Sequence, residues 1–180
     1  MTADKAPSLT PTSYLVLGLV ARHDACTSYD MKRTVSGSIG YFWTFPHSQL
    51  YAEPVRLAEL GLLSEEQEAS GRKRRTYRLT DAGREALRLW LAEPTDEPTE
   101  IRDLAVLKLF FGREAEPEPL RILAERAAAA HRKRLAEYEA IAAIPHIEKH
   151  ERLTLELGLR FERHSIRYWE EVAEEVAEER

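Results

Sequence analysis

Residues 41–77 read YFWTFPHSQLYAEPVRLAELGLLSEEQEASGRKRRTY, and the order of features in this run organises the whole chain. An aromatic cluster (Tyr41, Phe42, Trp43, Phe45) comes first. It reads as a core anchor for a short turn rather than a ligand pocket, because aromatic rings dominate small cores. A helix opens near Pro46 to Ser48, where proline suits a first turn and Ser48 can cap one. Leu50, Leu57 and Leu60 fall on its inner side, leaving His47, Ser48, Gln49, Tyr51 and Arg56 outside. Pro54 gives the Leu50 carbonyl no N–H partner and crowds it, at ~3 kcal/mol or a kink. A bend there, or a helix that begins around Tyr51, is therefore expected. Leu60-Gly61-Leu62 ends the helix. A strand over 62–68, a basic tip (Gly71, Arg72, Lys73, Arg74, Arg75) and a returning strand over 74–79 then form a hairpin. A polar first turn beside a cationic hairpin suits double-stranded DNA. The helix N-terminus can enter a major groove while the tip reaches phosphates beside it.

Residues 1–11, with Pro7 and Pro11 and no apolar period, read as a flexible arm before a domain over 12–94. The first helix runs from about Pro11 or Thr12 through YLVLGLVAR to His23 and is apolar almost all round, the mark of a buried helix. Thr27-Ser28-Tyr29-Asp30 is a capping box. It opens a second helix with Met31 and Val35 inward and Lys32 and Arg33 outward. Thr80 caps a fourth helix through DAGREALRLWLAE, which Pro94 closes.

The run PTDEPT at 94–99 marks a linker, and residues 95–180 form a second, helical domain. A short apolar helix over 101–111 stops at Gly112, and long amphipathic helices cover 118–144 and 147–178. The last carries Leu155, Leu159, Ile166, Trp169, Ala173 and Val176 as a coiled-coil-like seam that Glu162 interrupts. Two such helices have little core of their own, so a second copy is the economical partner and a homodimer is expected. The fold class is mainly α with a small β-hairpin.

With 180 residues and 43% hydrophobic side chains the chain can bury a core, and its charged residues, 32%, are interleaved with apolar ones. The formal charge of −5 divides unevenly: residues 1–94 hold 12 Lys/Arg against 11 Asp/Glu, residues 95–180 hold 14 against 20. DNA binding needs a basic face rather than a basic total, and the 72–75 cluster supplies one. A single cysteine, Cys26, excludes an internal disulfide framework and fits a reducing compartment. The longest apolar run, 15–21, is too short for a bilayer, and the first residues lack the features of a signal peptide. A cytoplasmic protein without membrane attachment is expected.

Other chemistry is sparse. Cys26 precedes a helix N-terminus, which can lower a thiol pKa, though a small buried residue is the plainer reading. His146 and His150 stand four apart, a metal-ligand spacing, with Glu151 as the one nearby third donor; no metal and no cofactor is expected. No phosphate loop or nucleophile–base pattern is present, so the chain does not read as an enzyme.

Ser28-Tyr29-Asp30-Met31-Lys32, Gly40-Tyr41-Phe42-Trp43, SQLYAEPVRLAELGLL and TYRLTDAGREAL, in this order, resemble PadR-family transcriptional regulators. EIRDLAVLKLFFG and the two long helices resemble the C-terminal helical domain of that family's virulence-activator-like branch. The resemblance covers about residues 13–178. It implies a winged helix-turn-helix domain followed by a helical dimerisation domain, with the homodimer binding a near-palindromic operator, usually as a repressor. Residues 27–35 would be the positioning helix, bringing Ser28, Tyr29 and Lys32 to the DNA. Residues 48–60 would be the recognition helix, 71–75 the wing tip, and Tyr51 the tyrosine that faces the DNA backbone. Many members place proline directly after that tyrosine; here Ala52 follows and Pro54 comes two residues later. The family also implies a small-molecule effector, often in an aromatic-lined cavity, for which Trp90 and Trp169 are the residues here.

Within this frame Gln49 is the base reader, since its amide pairs with adenine. His47 and Ser48 donate to phosphate or base, Arg56 lies on the outer side, and Arg72, Lys73, Arg74 and Arg75 supply backbone charge. The alternatives are a solvated hairpin tip and a winged-helix protein-interaction module that binds no DNA.

Overall fold

The computed structural model describes residues 8–68 and 74–178. The chain forms two compact units, Met1–Glu97 and Pro98–Arg180.

The first unit begins with α1 (Pro11–His23), capped by Thr10, with Pro11 in its first turn. Val16, Leu17, Leu19 and Val20 are buried on several sides of it, as its apolar girth requires. α2 (Ser28–Ser36) is closed by the Thr27–Asp30 capping box, and a 3-10 turn (Ile39–Tyr41) follows. α3 (Gln49–Glu59) carries Leu50, Pro54 and Leu57 into the core. β1 (Leu63–Gln67) and β2 (Arg75–Leu79) pair antiparallel, Leu63 opposite Leu79 and Gln67 opposite Arg75. α4 (Asp81–Ala92) closes the unit behind its cap, Thr80. The core joins the buried α1 side chains to Cys26, Met31, Val35, Leu50, Leu57, Leu63 and Tyr77.

Three local expectations need correction. The third helix starts at Gln49, just after the opening expected at 46–48 and before the alternative start at Tyr51, and contains Pro54. Its entry is a tight turn in which Gln49, Leu50 and Tyr51 N–H bond the carbonyls three residues back, at 2.9, 3.1 and 3.1 Å. Ser48 makes no side-chain cap. In the aromatic cluster, Phe45 packs against the core, while Phe42 and Trp43 are 63% and 44% exposed. Ile39 and Phe45 cover that side of the core and leave the other two rings outside. The hairpin also gains a rung outside its own strands: Cys26 and Tyr77 exchange both backbone hydrogen bonds, at 3.1 and 2.9 Å.

The turn from α3 into β1 and the start of α4 are locked together. Gly61 takes a left-handed conformation, φ 72°, which turns the chain out of α3 without a Cβ penalty. The Thr80 hydroxyl lies 2.8 and 3.0 Å from the Gly61 and Leu62 carbonyls and accepts the Gly83 N–H at 3.0 Å. Gly83 sits so close that a Cβ there would stand 2.0 Å from the Leu62 carbonyl oxygen.

The second unit contains α5 (Leu104–Phe110), capped by Asp103, a 3-10 turn (Gly112–Glu114), α6 (Pro117–Ala142) and α7 (Lys149–Glu178). α6 and α7 pack as an antiparallel pair. Trp169 packs on Ala124 and Ala128, whose small side chains admit the indole. Tyr138 lies over Gly158, where a Cβ would come within 2.7 Å of its ring. Glu162, expected to interrupt an apolar seam, is 6% exposed and lies 2.5 Å from His131 Nδ1. The seam expected to meet a second copy is thus folded against α6 of the same chain: Leu159, Trp169 and Val176 are buried. No described helix is long and apolar enough to cross a membrane.

Gly83→Ala should lower the stability of the first unit by roughly 2 kcal/mol or more, since the added methyl meets a backbone carbonyl rather than a yielding side chain. Urea unfolding would show this as a lower midpoint.

Candidate nucleic-acid interface

The exposed polar surface of the first unit is built by three elements whose opposite sides are buried. On α2, Met31 and Val35 point inward, leaving Ser28 half-buried and Tyr29 and Lys32 exposed. On α3, burial of Leu50, Pro54 and Leu57 turns Gln49, Tyr51 and Ala52 outward, with His47 and Ser48 exposed just before them. Tyr29 and Tyr51 are 68% and 52% exposed. Arg74 and Arg75, also exposed, stand where the hairpin returns. Gly71, Arg72 and Lys73 lie outside the described residues.

Asp30 joins the hairpin to α2. Its Oδ2 accepts from the Thr27 N–H at 3.0 Å and the Thr27 hydroxyl at 2.7 Å, and lies 3.4 Å from Arg74 Nη2. Those Thr27 hydrogen bonds, helped by Arg74 and Arg33, hold the Asp30 carboxyl below the usual carboxylate range. Arg75 lies on the same side of the hairpin as Glu65, with Nε 3.4 Å from Oε1. Part of the cationic charge is therefore already partnered.

Arg56 has partners within the chain that the sequence expectation did not include. Its Nε and Nη2 fork onto Glu53 Oε2 and Oε1 at 3.0 and 2.6 Å, and Nη2 also reaches Ser13 Oγ of α1 at 3.0 Å. Burial alone would push the Glu53 carboxyl up, but hydrogen bonds from Arg56 and Ser13 and the guanidinium charge outweigh it and leave it lowered. The same pairing raises Arg56 above its ordinary value. The guanidinium thus serves the α1 side of α3. The sequence held one hint of this: Glu53 and Arg56 stand three apart, a spacing at which helix side chains meet.

Trp90 stacks on Tyr14, ring centroids 4.7 Å apart and nearly parallel, and stays 41% exposed. Trp169 is 2% exposed. Cys26 is buried, and burial, with Asp30 adding to it, pushes its thiol up to about 11, the opposite of thiolate activation. His146 sits in the α6–α7 connection with φ 66°, His150 in the first turn of α7. Among the described residues no three His, Cys, Asp or Glu side chains are grouped to hold a metal.

A helix pair joined by a connection over 37–48 that contains a 3-10 turn, a core helix behind it and an antiparallel hairpin bound at its base define the class of winged helix-turn-helix domains. Residues 16–89 match the model of the PadR-like transcriptional regulator family, and residues 101–177 match the virulence activator alpha C-terminal domain. A probable transcriptional regulator of Mycobacterium tuberculosis is 31% identical over 179 residues, covering 87% of this chain and 93% of that protein. The negative transcriptional regulator PadR of Bacillus subtilis is 32% identical over 100 residues, so the match spans about half (54%) of either protein. Among solved structures, B. subtilis PadR in complex with operator DNA superposes with a TM-score of 0.81 at 23% identity, over 91% of this chain and 98% of that one. The same protein with p-coumaric acid gives 0.76 at 22%, over 94% and 99%. The Vibrio cholerae virulence activator AphA gives 0.69 at 32% identity, over 92% and 98%. The chain belongs to the PadR-like family of transcriptional regulators and carries the virulence activator alpha C-terminal domain.

The lowered carboxyls of Asp30 and Glu53 fix a sign. Their stabilisation is complete above the ordinary values of 3.8 and 4.5 and is lost as the pH falls through the lower folded-state ones. Asp30→Asn and Glu53→Gln should each flatten the acid side of a plot of unfolding free energy against pH while leaving its alkaline side parallel to wild type.

Proposed function

We propose that this regulator binds double-stranded DNA sequence-specifically as a homodimer on a near-palindromic operator, represses by occupying it, and is released by a small-molecule effector. The observation that carries the reading is the first turn of α3. It is polar and solvent-facing at Gln49 and Tyr51, as are His47 and Ser48 just before it, while Leu50 and Leu57 of the same helix are fully buried. A rigidly backed helix end can place an amide against a base edge, which a flexible loop cannot do reproducibly.

Gln49 reads a base, His47 and Ser48 donate beside it, and Tyr51 turns to the backbone. Ser28, Tyr29 and Lys32 meet phosphates from the start of α2, and Arg74 and Arg75 meet them from the hairpin. Arg72 and Lys73 join them on sequence alone. Arg56, held by Glu53 and Ser13, is not among the contacts.

Dimerisation rests on a second stripe of α7. Leu153, Leu157 and Phe161 are 53%, 71% and 50% exposed and stand four residues apart, with Tyr168, 40% exposed, seven further on. That is an apolar face at helical spacing which α6 touches only at the edge of Phe161, through His131, and a second copy supplies the matching face. For the effector, B. subtilis PadR has been solved with p-coumaric acid. Trp90 offers an aromatic ring of the first unit to such a molecule, whereas Ala124 and Ala128 fill the space around Trp169.

Selection of bound duplexes from a random pool by the purified protein tests the reading, and two titrations on the selected site dissect it. Gln49→Ala should relax preference at one base pair by ~1–3 kcal/mol. Arg74→Ala should weaken binding to all duplexes alike and flatten the salt dependence by about 0.9 for each phosphate it no longer neutralises. Equal sequence dependence in the two variants would remove these roles. Leu157→Lys should leave the folded chain monomeric in sedimentation and weaken operator binding, and an unaltered dimer would exclude the α7 stripe as its interface.

A further inference from the structure

The segments Thr10-Pro11-Thr12-Ser13 and Glu53-Pro54-Val55-Arg56 lie far apart in sequence and meet at one buried hydroxyl. Ser13 is fully buried, yet its Oγ has every hydrogen-bonding capacity filled. It donates to Glu53 Oε1 at 2.6 Å and accepts from Arg56 Nη2 at 3.0 Å and from the Thr10 N–H at 2.9 Å. The Arg56 fork on Glu53 closes the triangle.

α3 has unusual need of such an anchor. It enters without a side-chain cap, its first turn uses three-residue hydrogen bonds, and Pro54 denies the Leu50 carbonyl an intrahelical partner. Leu50 and Leu57 hold the helix against α1 and its neighbours, but apolar burial is non-directional and tolerates small rotations and slides. A charge-assisted, two-pronged hydrogen-bonded triangle does not.

We infer that Ser13, Glu53 and Arg56 are positioning residues for base recognition: they fix the rotation and depth of α3 on α1 and thereby set sequence discrimination, without touching DNA. The inference rests on the DNA-binding reading above. A small displacement of α3 breaks a bidentate base contact, whose geometry is strict, but barely changes attraction to phosphates, which is Coulombic and longer in range. The clamp therefore acts on the ratio of specific to non-specific affinity.

Competition between the selected duplex and a scrambled duplex of equal length, at one salt concentration, tests this with full-length protein. Wild type should be selective. Glu53→Gln and Ser13→Ala should each cut the selectivity ratio by about tenfold while affinity for the scrambled duplex stays within about twofold. The double variant should lose little more than either single one, because one triangle is broken in each case. Arg56→Lys keeps the charge but not the fork and should fall between wild type and Glu53→Gln. Ser13→Ala, the smallest change, decides the matter should Glu53→Gln fail to fold. Folded variants with wild-type selectivity, or with equal losses on both duplexes, overturn the clamp and leave the DNA-binding reading standing. Wild-type protein without selectivity overturns the DNA-binding reading, and the clamp with it.

Discussion

The first unit depends on a helix with no polar stripe wide enough to face water. Val16, Leu17, Leu19 and Val20 of α1 are each 2% exposed or less, and burying side chains of this size contributes ~1.5–3 kcal/mol apiece. Such a helix has to be surrounded, and α2, α3, α4 and β2 all touch it. Each surrounding element then has one side turned inward, so its polar side chains fall on the other. The outward polar turn of α3 follows from where α1 stands. The one polar side chain buried in α1, Ser13, is where α3 is fastened to it.

The cations of this unit divide by partner. Arg56 is spent on Glu53 and Ser13, Arg75 leans on Glu65, and Arg74 shares Asp30 through a long, half-exposed contact. A bidentate, partly buried pair is hard to exchange for another partner; a single 3.4 Å contact made by an exposed guanidinium contributes little and exchanges readily. Asp30 completes the Thr27 capping box of α2 and, among the described residues, touches the hairpin only through that one contact. The hairpin is anchored further at the rung between Cys26 and Tyr77, which makes the approach to α2 part of the same small sheet.

The second unit solves a different packing problem. Its two long helices come close where one offers almost nothing: Ala124 and Ala128 opposite Trp169, Gly158 opposite Tyr138. Each pairs a small residue on one helix with a large ring on the other, which interdigitates the surfaces and leaves little void. Glu162 survives among these contacts because His131 meets it, as a buried polar group requires. With that face satisfied inside the chain, the apolar residues remaining on α7 form a separate stripe.

By itself the sequence determined whatever depends on neighbours within about one helical turn or one strand pair. Thr27 and Thr80 cap where their spacing places them, Met31, Val35, Leu50 and Leu57 point inward, and Leu63 to Leu79 closes a hairpin. Those features are local because caps and periodicities are set by backbone geometry. Tertiary structure alone decided that Arg56 turns toward Ser13, that Phe42 and Trp43 stay outside, and that Cys26 pairs with Tyr77. It also decided that the Trp169 seam belongs to α6 rather than to another chain. Each of these is a choice among partners distant in sequence. An amphipathic period states that a face must be covered; only the packed fold states by what.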